Sequence, residues 1–276
     1  MKKCLLPVLF VAILLAQDRS PDARPKFAVA SIKLDNSPAA WHIGLETHPG
    51  GRIHFSGPLV FLLGFAYNLP FNSKRMTGVP DWGYKEAYVI DVAPEHGVIP
   101  AGLATLSLRE RVRPMLQALL AERFHMVIRR DSQDVPVYAL TLAKGGPKLK
   151  HAGIEEKDCS VDGKIDCHSL HGGLAGISGE AVSLDDLAQF ISNWTDRPVV
   201  NRTSLNVLYQ IQTEGFGPMT MGSTATDKNS SDGDVRADPN RPTIAMILRK
   251  MGLRLEPAKA PLDLYVIEHV ERPSAN

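Results

Sequence analysis

Alternating apolar and polar residues mark several strands along the chain, and the clearest stretch is "RPVVNRTSLNVLYQIQTEG", residues 197–215. The apolar pair Val199 and Val200 is followed by a polar break, after which Val207, Tyr209 and Ile211 recur at every second position. A period of two residues is typical of a half-buried strand. The pattern predicts a strand, a turn and a second strand, which together would form a hairpin.

The same short pattern, Tyr, any residue and then Ile or Leu, begins four alternating stretches. Each is preceded by another apolar or mixed stretch and, before that, by a segment with helical spacing. The repetition predicts four helix-and-hairpin units in which the tyrosine begins the second strand and its ring packs within the same unit. These tyrosines are Tyr88, Tyr138, Tyr209 and Tyr265.

Capping residues and apolar spacing predict the helices that precede these strands. Ser183 with Asp186, and Ser107 with Glu110, have the form of capping boxes, whereas Pro114 predicts a kink or a restart of its helix. The segment "PLVFLLGFAYNL" is apolar nearly all round, which predicts a buried helix before Tyr88. The stripes of the other three helices are Leu184, Leu187, Ala188, Ile191 and Trp194; Leu108, Val112, Met115, Leu116, Leu119 and Leu120; and Ile244, Ile247, Leu248 and Met251.

These elements predict an α+β fold made of two similar halves, 27–150 and 168–273, each with two helix-plus-β-hairpin units. Single helices that alternate with antiparallel hairpins favour helices packed on one face of a mostly antiparallel sheet. The segment 151–167 would join the halves as a linker. Residues 217–242 are rich in Ser, Thr, Asp and Gly, which predicts a mobile loop within the second half.

The first residues have the layout of a secretory signal peptide. Lys2 and Lys3 precede an apolar run from Leu5 to Ala16, and a polar break follows. We expect residues 1–16 to be removed and residues 17–26 to form a flexible N-terminus; an uncleaved anchor is the alternative. No other stretch is long and apolar enough to span a membrane. The protein is therefore expected to be exported to the periplasm or the extracellular space.

The charge of the mature chain excludes two classes of partner. Without Lys2 and Lys3 it carries 29 basic and 30 acidic residues. A nearly neutral chain lacks the basic surface that nucleic acids require, and it lacks a polybasic patch for anionic lipid. The sequence also predicts no cofactor, because "AKGGPKLK" does not have the spacing of a phosphate-binding loop.

The densest cluster of reactive side chains is Cys159, Cys167, His168 and His171. An even pair of cysteines in an exported protein favours a disulfide that closes "CSVDGKIDC". The same four side chains could instead supply the ligands of a tetrahedral zinc site.

Two other groups of residues are candidates for catalysis and binding. "HGGLAGISGE" places His171 near Ser178, which suggests a hydrolase, but its glycines lack the spacing of a nucleophile elbow. A structural turn explains this segment better. Trp41, Trp82 and Tyr84 could line a ligand groove, although aromatic residues near turns commonly serve as packing anchors.

Several longer segments resemble an uncharacterised family of exported proteins that is expanded in soil bacteria. They are "FAVASIK", "VPDWGYKEAYVIDVA", "MLQALLAERFHMVIRRDSQDVPVYALTLAKGGPKLK", "RPVVNRTSL" and "MGLRLEPAKAPLDLYVIEHVERPS". Some members of that family are fused to membrane metallopeptidases of the antibiotic-sensor type, so the resemblance implies a sensing or docking part. The unit around 184–213 also resembles the short periplasmic domain that precedes secretins and TonB-dependent receptors.

The favoured function is therefore a non-catalytic envelope module that binds a partner protein, peptide or glycan through sheet edges and loops. Binding would use the loops that the two halves do not share, near 41–52, 72–84 and 151–171. The alternatives are a secreted hydrolase that uses residues around His168–Ser178, and a docking domain for a membrane peptidase.

Overall fold

The computed structural model describes residues 26–36, 44–48, 51–70, 73–99, 105–159, 166–217 and 242–273. The proposed signal peptide and nearly all of the predicted loop 217–242 lie outside these residues. The described chain has the predicted α+β fold. In chain order its elements are β1 (Phe27–Asp35), β2 (Gly44–His48), β3 (Arg52–Pro58), α1 (Leu59–Tyr67), β4 (Met76–Thr77), α2 (Trp82–Lys85), β5 (Ala87–Pro94), α3 (Thr105–Arg123), β6 (Val127–Leu142), β7 (Lys150–His151), β8 (His171–Gly173), β9 (Gly176–Val182), α4 (Leu184–Ile191), β10 (Val199–Asn201), β11 (Tyr209–Gln212), α5 (Ile244–Lys250) and β12 (Leu253–His269).

The strands form three four-stranded sheets, two outer and one central. The outer sheets have the orders β1-β5-β3-β2 and β7-β11-β9-β8, and their strands are antiparallel. The central sheet has the order β10-β6-β12-β4. Its long strands β6 and β12 run antiparallel along nearly their whole length. Each outer sheet packs with its helices around a separate apolar core, and the long strands contribute to both cores.

When β1–β6 are taken as the first half and β7–β12 as the second, the two halves have the same topology strand for strand. Pairing β1 with β7, β2 with β8, β3 with β9 and β5 with β11 converts one outer sheet into the other. Pairing β4 with β10 and β6 with β12 maps the central sheet onto itself, in reverse order. Even the edge contacts correspond, because Tyr265 N–H donates to Arg75 C=O at 2.7 Å and Tyr138 N–H donates to Pro198 C=O at 2.8 Å.

This correspondence includes an exchange of short strands between the halves. β4 from the first half pairs in parallel with β12 from the second, and β10 from the second half pairs in parallel with β6 from the first. The halves therefore share one continuous sheet and are not two separate bodies.

The predicted hairpin at 197–215 is wrong. Both strands exist, but β10 pairs with β6 in the central sheet, whereas β11 pairs with β7 and β9 in an outer sheet. The alternating pattern identified two half-buried strands correctly. It carries no information on which strand lies beside which, and here the partners are distant in sequence.

The four tyrosines occupy two kinds of position and not one. Tyr88 and Tyr209 lie in corresponding outer strands, whereas Tyr138 and Tyr265 lie far inside the long strands β6 and β12. The prediction that each ring packs within its own unit also fails for the second pair. Tyr138 contacts Asp196 and Arg197 of the other half, and the Tyr265 ring lies 4.9 Å from that of Tyr67. The four-unit repeat is therefore wrong.

The helix predictions have mixed outcomes. α4 has the predicted capping box, since Asp186 N–H donates to Ser183 Oγ and Ser183 N–H donates to the Asp186 carboxylate. α3 begins at Thr105, so Ser107 lies within the helix and not at its N-cap position, and the helix continues through Pro114 without the predicted restart. α1 buries most of its residues, as its apolar sequence predicted. Among the described residues, no helix is both long enough and apolar enough to cross a membrane.

Candidate functional site

A groove of about 440 Å³ lies between helix α1 and the short edge strand β4. Its wall is mainly apolar, with polar or charged side chains at its rim. Two of the rim residues, Lys74 and Tyr84, are exposed. The residues that line the groove are Val60, Leu63, Gly64, Leu69, Pro70, Ser73, Lys74, Met76, Thr77, Val79 and Tyr84.

At the corresponding place in the second half, α4 lies directly against β10. Ser192, at the end of α4, accepts a hydrogen bond of 2.9 Å from Val199 N–H. Near the start of the helix, the Asp185 carboxylate accepts one of 3.1 Å from the side chain of Asn201. Both contacts hold the helix to the strand.

Different residues at the matching positions of α1 account for the opening. When the buried faces of the two helices are matched from Leu59 and Leu184 onward, Val60 takes the place of Asp185, and Tyr67 takes that of Ser192. Valine cannot accept a hydrogen bond from the strand, and the Tyr67 ring packs on Tyr265. These exchanges distinguish the α1–β4 side of the first half from the α4–β10 side of the second.

The three aromatic residues predicted for a binding surface have different settings. Tyr84 lines the groove with 51% of its surface exposed. Trp82 is instead a packing residue, since its ring meets Tyr88 edge-on and Arg272 lies over its face. Trp41 lies outside the described residues.

A second concave surface of about 330 Å³ lies on the first outer sheet. His54 and Asp91 face each other there, with 2.8 Å between Nδ1 and Oδ1, and both are solvent-accessible. His48 and Arg52 also line it, which places it beside the predicted loop region 41–52.

The predicted hydrolase residues meet on an open hairpin. His171 in β8 lies directly opposite Ser178 in β9, and His171 Nε2 lies 2.9 Å from Asp166 Oδ2. Among the described residues, however, no hydrogen bond joins Ser178 to His171, and the imidazole is 66% exposed. An exposed pair of this kind does not exclude water or fix a nucleophile, both of which acyl transfer requires.

The predicted disulfide between Cys159 and Cys167 is present. Cys167 is buried in a small cluster with Ala181 and Leu208. Both sulfur atoms are bonded to each other, so neither can act as a thiolate ligand while the disulfide is intact. His171 is paired with Asp166 and does not join the other three zinc candidates.

His168, next to the disulfide, is held between two carboxylates. Its Nδ1 lies 2.8 Å from Asp186 Oδ2 and its Nε2 lies 2.9 Å from Glu156 Oε1. Burial by itself would lower the pKa of His168, but the two carboxylates outweigh it and raise this pKa. The backbone at His168 is left-handed, with φ of 58°, and its N–H donates to Ala181 C=O.

Sequence reasoning missed Glu156, Asp186 and Val60 as members of these sites. Glu156 stands in a charged run typical of a solvated surface, and Asp186 was recognised only as a helix cap. Val60 belongs to a helix whose apolar composition indicated burial. Aligning α1 with α4 would have revealed the exchanges of Val60 for Asp185 and of Tyr67 for Ser192, which are the signal of the groove in the sequence.

Together these features define an α+β protein with a duplicated topology and a narrow apolar groove in one half. The chain belongs to the family described as Protein of unknown function (DUF3738), whose model matches residues 61–270. That match spans the elements from α1 to β12, and it confirms the resemblance to an uncharacterised family. No curated protein and no solved structure matches the chain.

Proposed function

We propose that this protein is an exported, non-catalytic binding module that holds a short, extended peptide of an envelope partner in the groove between α1 and β4. The observation that carries the proposal is the groove itself, which occurs in one half of a duplicated topology. A groove of about 440 Å³ has the size of pockets that take small ligands or a few peptide side chains.

The walls favour a peptide with apolar side chains. Val60, Leu63, Met76 and Val79 present hydrocarbon to the groove, and the exposed ring of Tyr84 stands at its rim. Exposed tyrosines beside apolar pockets are common anchors in peptide and protein recognition. The rim residue Lys74 favours an acidic residue beside the apolar ones.

The edge position of β4 favours an extended conformation of the peptide. β4 is the last strand of the central sheet, with β12 on one side. A strand at the edge of a sheet offers backbone groups to another chain, and peptide recognition by strand addition uses this property. Apolar side chains of such a peptide would then point into the groove.

Export is part of the proposal and is supported by the charged start and the apolar run of residues 5–16. A docking role beside a membrane metallopeptidase, which the family resemblance implied, would use the same groove. The identity of the bound peptide distinguishes that role from others.

The test is a display library of random peptides selected against the purified mature protein. The binding of the selected peptides to the wild-type protein and to its variants is then measured by fluorescence anisotropy. Tyr84→Ala, or Val60→Asp, which copies the residue of the second half, should weaken binding about tenfold or more. Met246→Ala is the control, because Met246 is also 51% exposed but lies on α5, and it should leave binding unchanged.

Two results would contradict the proposal. One is a set of selected peptides whose binding is unaffected by Tyr84→Ala and Val60→Asp. The other is hydrolysis of ester or peptide substrates that is lost in Ser178→Ala and His171→Ala, since that would make the protein an enzyme.

A further inference from the structure

Beside the disulfide, three different metal-ligating groups converge. A carboxylate oxygen of Glu156, Sγ of Cys159 and a ring nitrogen of His168 all lie within 4.8 Å of one another. The fourth group is Cys167, whose sulfur is bonded to that of Cys159. A carboxylate, an imidazole and one sulfur thus lie close together, and the second sulfur is bonded to the first.

The imidazole of His168 is oriented as in a metal site. Metal-binding histidines commonly donate the proton of the second ring nitrogen to a carboxylate, which fixes the ring and the tautomer. Here Nδ1 lies 2.8 Å from Asp186, while Nε2 faces Glu156. Asp186 is itself fixed, because both the N–H and the hydroxyl of Ser183 donate to it.

We propose that reduction of the Cys159–Cys167 disulfide converts this cluster into a zinc site with Cys159, Cys167, His168 and Glu156 as ligands. An external dithiol would give up two electrons and two protons and become a disulfide, and the two cysteines would become thiols. Zn²⁺ would then displace the two thiol protons and bind both thiolates.

The geometry and the ligand types suit zinc. Bonds of about 2.0–2.3 Å to a tetrahedral ion place ligand atoms about 3.5 Å apart. Glu156 Oε1 and His168 Nε2 are 2.9 Å apart and would separate slightly, and the ligand atoms of Glu156, Cys159 and His168 already lie within 4.8 Å of one another. Glu156 is exposed, and the S–S bond no longer holds the sulfurs once it is reduced. A set of two sulfurs, one nitrogen and one oxygen is typical of zinc and less suited to magnesium or calcium, which prefer oxygen alone.

The site shares no residue with the groove, so the test of metal binding is independent of the test of peptide binding. It would make the state of the 151–171 region depend on the redox conditions around the protein. In the oxidised form the two sulfurs are closed to metal, and His168 is held by its two carboxylates.

The test uses the whole chain in a Cys4→Ser background, reduced with a phosphine and then freed of it. We expect the reduced protein to bind one Zn²⁺ and the oxidised protein none. With Co²⁺ in place of Zn²⁺, the reduced protein should show thiolate-to-cobalt charge-transfer absorption and the visible bands of a tetrahedral ion.

Matched variants separate the site from simple thiol binding. Glu156→Gln and His168→Ala should each weaken metal binding about tenfold or more. The neighbouring Glu155→Gln and His171→Ala should leave it unchanged, because their side chains lie outside the ligand set. Circular dichroism of each reduced variant shows whether the fold is kept.

Three results would overturn the proposal. The first is a reduced, folded protein that binds neither metal. The second is binding that is indifferent to Glu156→Gln and His168→Ala. The third is a reduced chain that unfolds without metal and does not regain the circular dichroism spectrum of the folded protein when Zn²⁺ is added.

Discussion

The hydroxyl of Tyr138 donates a hydrogen bond of 3.0 Å to Asp196, and the bond joins the two halves of the chain. Tyr138 lies in β6, whereas Asp196 precedes β10, the short strand that the second half contributes beside β6. Burial, and next the bond to Asp196, raise the pKa of Tyr138. The phenol therefore stays protonated and can donate throughout the neutral range.

Tyr138→Phe should lower the free energy of unfolding by about 1 kcal/mol, because it removes this bond and leaves the ring in place. Urea denaturation followed by circular dichroism measures the change. Tyr84→Phe is the control, since Tyr84 is exposed, and it should have no measurable effect. An unchanged stability of Tyr138→Phe would show that the bond does not hold the halves together.

Tyr209→Ala should destabilise the fold by about 3–5 kcal/mol through loss of a large buried side chain. Tyr209 is only 1% exposed and packs against His151 at 5.2 Å between ring centroids. Tyr265 is only half-buried, so Tyr265→Ala should cost less. Chemical denaturation of both variants checks the order, and an equal or reversed order would contradict it.

The disulfide should stabilise the folded state by about 2–3 kcal/mol, the chain-entropy estimate for a loop of this size. The comparison is between the oxidised protein and its Cys159→Ser/Cys167→Ser variant, both without added metal. Thiol counting on the denatured protein provides an independent check. Two free thiols at these positions would show that the bond does not form.

Acid should weaken the ion pair between Glu86 and Arg272. The hydrogen bond from Arg272 holds the pKa of Glu86 below its ordinary range, although burial opposes this. A lowered folded-state pKa contributes stability above the ordinary glutamate pKa, and that contribution is lost as the pH falls through the lowered value.

Arg272→Gln should therefore be less stable than the wild type at neutral pH, and the difference should shrink as the pH falls below the ordinary glutamate pKa and through the lowered one. Thermal melting at several pH values measures the difference. Arg272 also lies over the Trp82 ring, so a part of the stability difference should be independent of pH and remain in acid. A difference that grows in acid would contradict this account.

If the protein is exported, its signal peptide should be removed and the mature chain should begin after Ala16. N-terminal sequencing of the protein recovered from the cell envelope and from the medium checks this directly. Replacing Val11 and Leu14, both within the apolar run, by Asp should leave the protein in the cytoplasm with Met1 or Lys2 at its start. A wild-type protein that keeps Met1 in the cytoplasm would contradict export.

The local features of the fold were predictable where the cause is local. Ser183 and Asp186 are three residues apart and cap α4 through their own backbone groups, so the sequence contains the whole cause. The pairing of β10 with β6 depends instead on strands that are distant in sequence, and alternation at Val199 and Tyr209 cannot report it. Hence most of the helices and strands were predicted correctly, whereas the predicted pairing of two strands in a hairpin was wrong.

The sites show the same division. The even pair of cysteines predicted the disulfide. Tyr84, one of the three aromatic residues predicted for a binding surface, lines the groove. The groove beside Tyr84 is recognised in the sequence only when α1 is compared with α4, because Val60 then stands in the place of Asp185. No single stretch of sequence reveals such a difference.

The exchange of β4 and β10 has a consequence for the origin of the fold. A polypeptide ending after β6 would have a long strand without its antiparallel partner and a short strand with nothing beside it. Two identical copies would complete each other, each lending its short strand to the other's long one around a twofold axis. In its topology the present chain is thus equivalent to a strand-swapped homodimer whose two copies are joined end to end. Joining the copies in one chain lets them differ in sequence, so Asp185 can hold α4 to β10 in one half while Val60 stands at the matching position of the other.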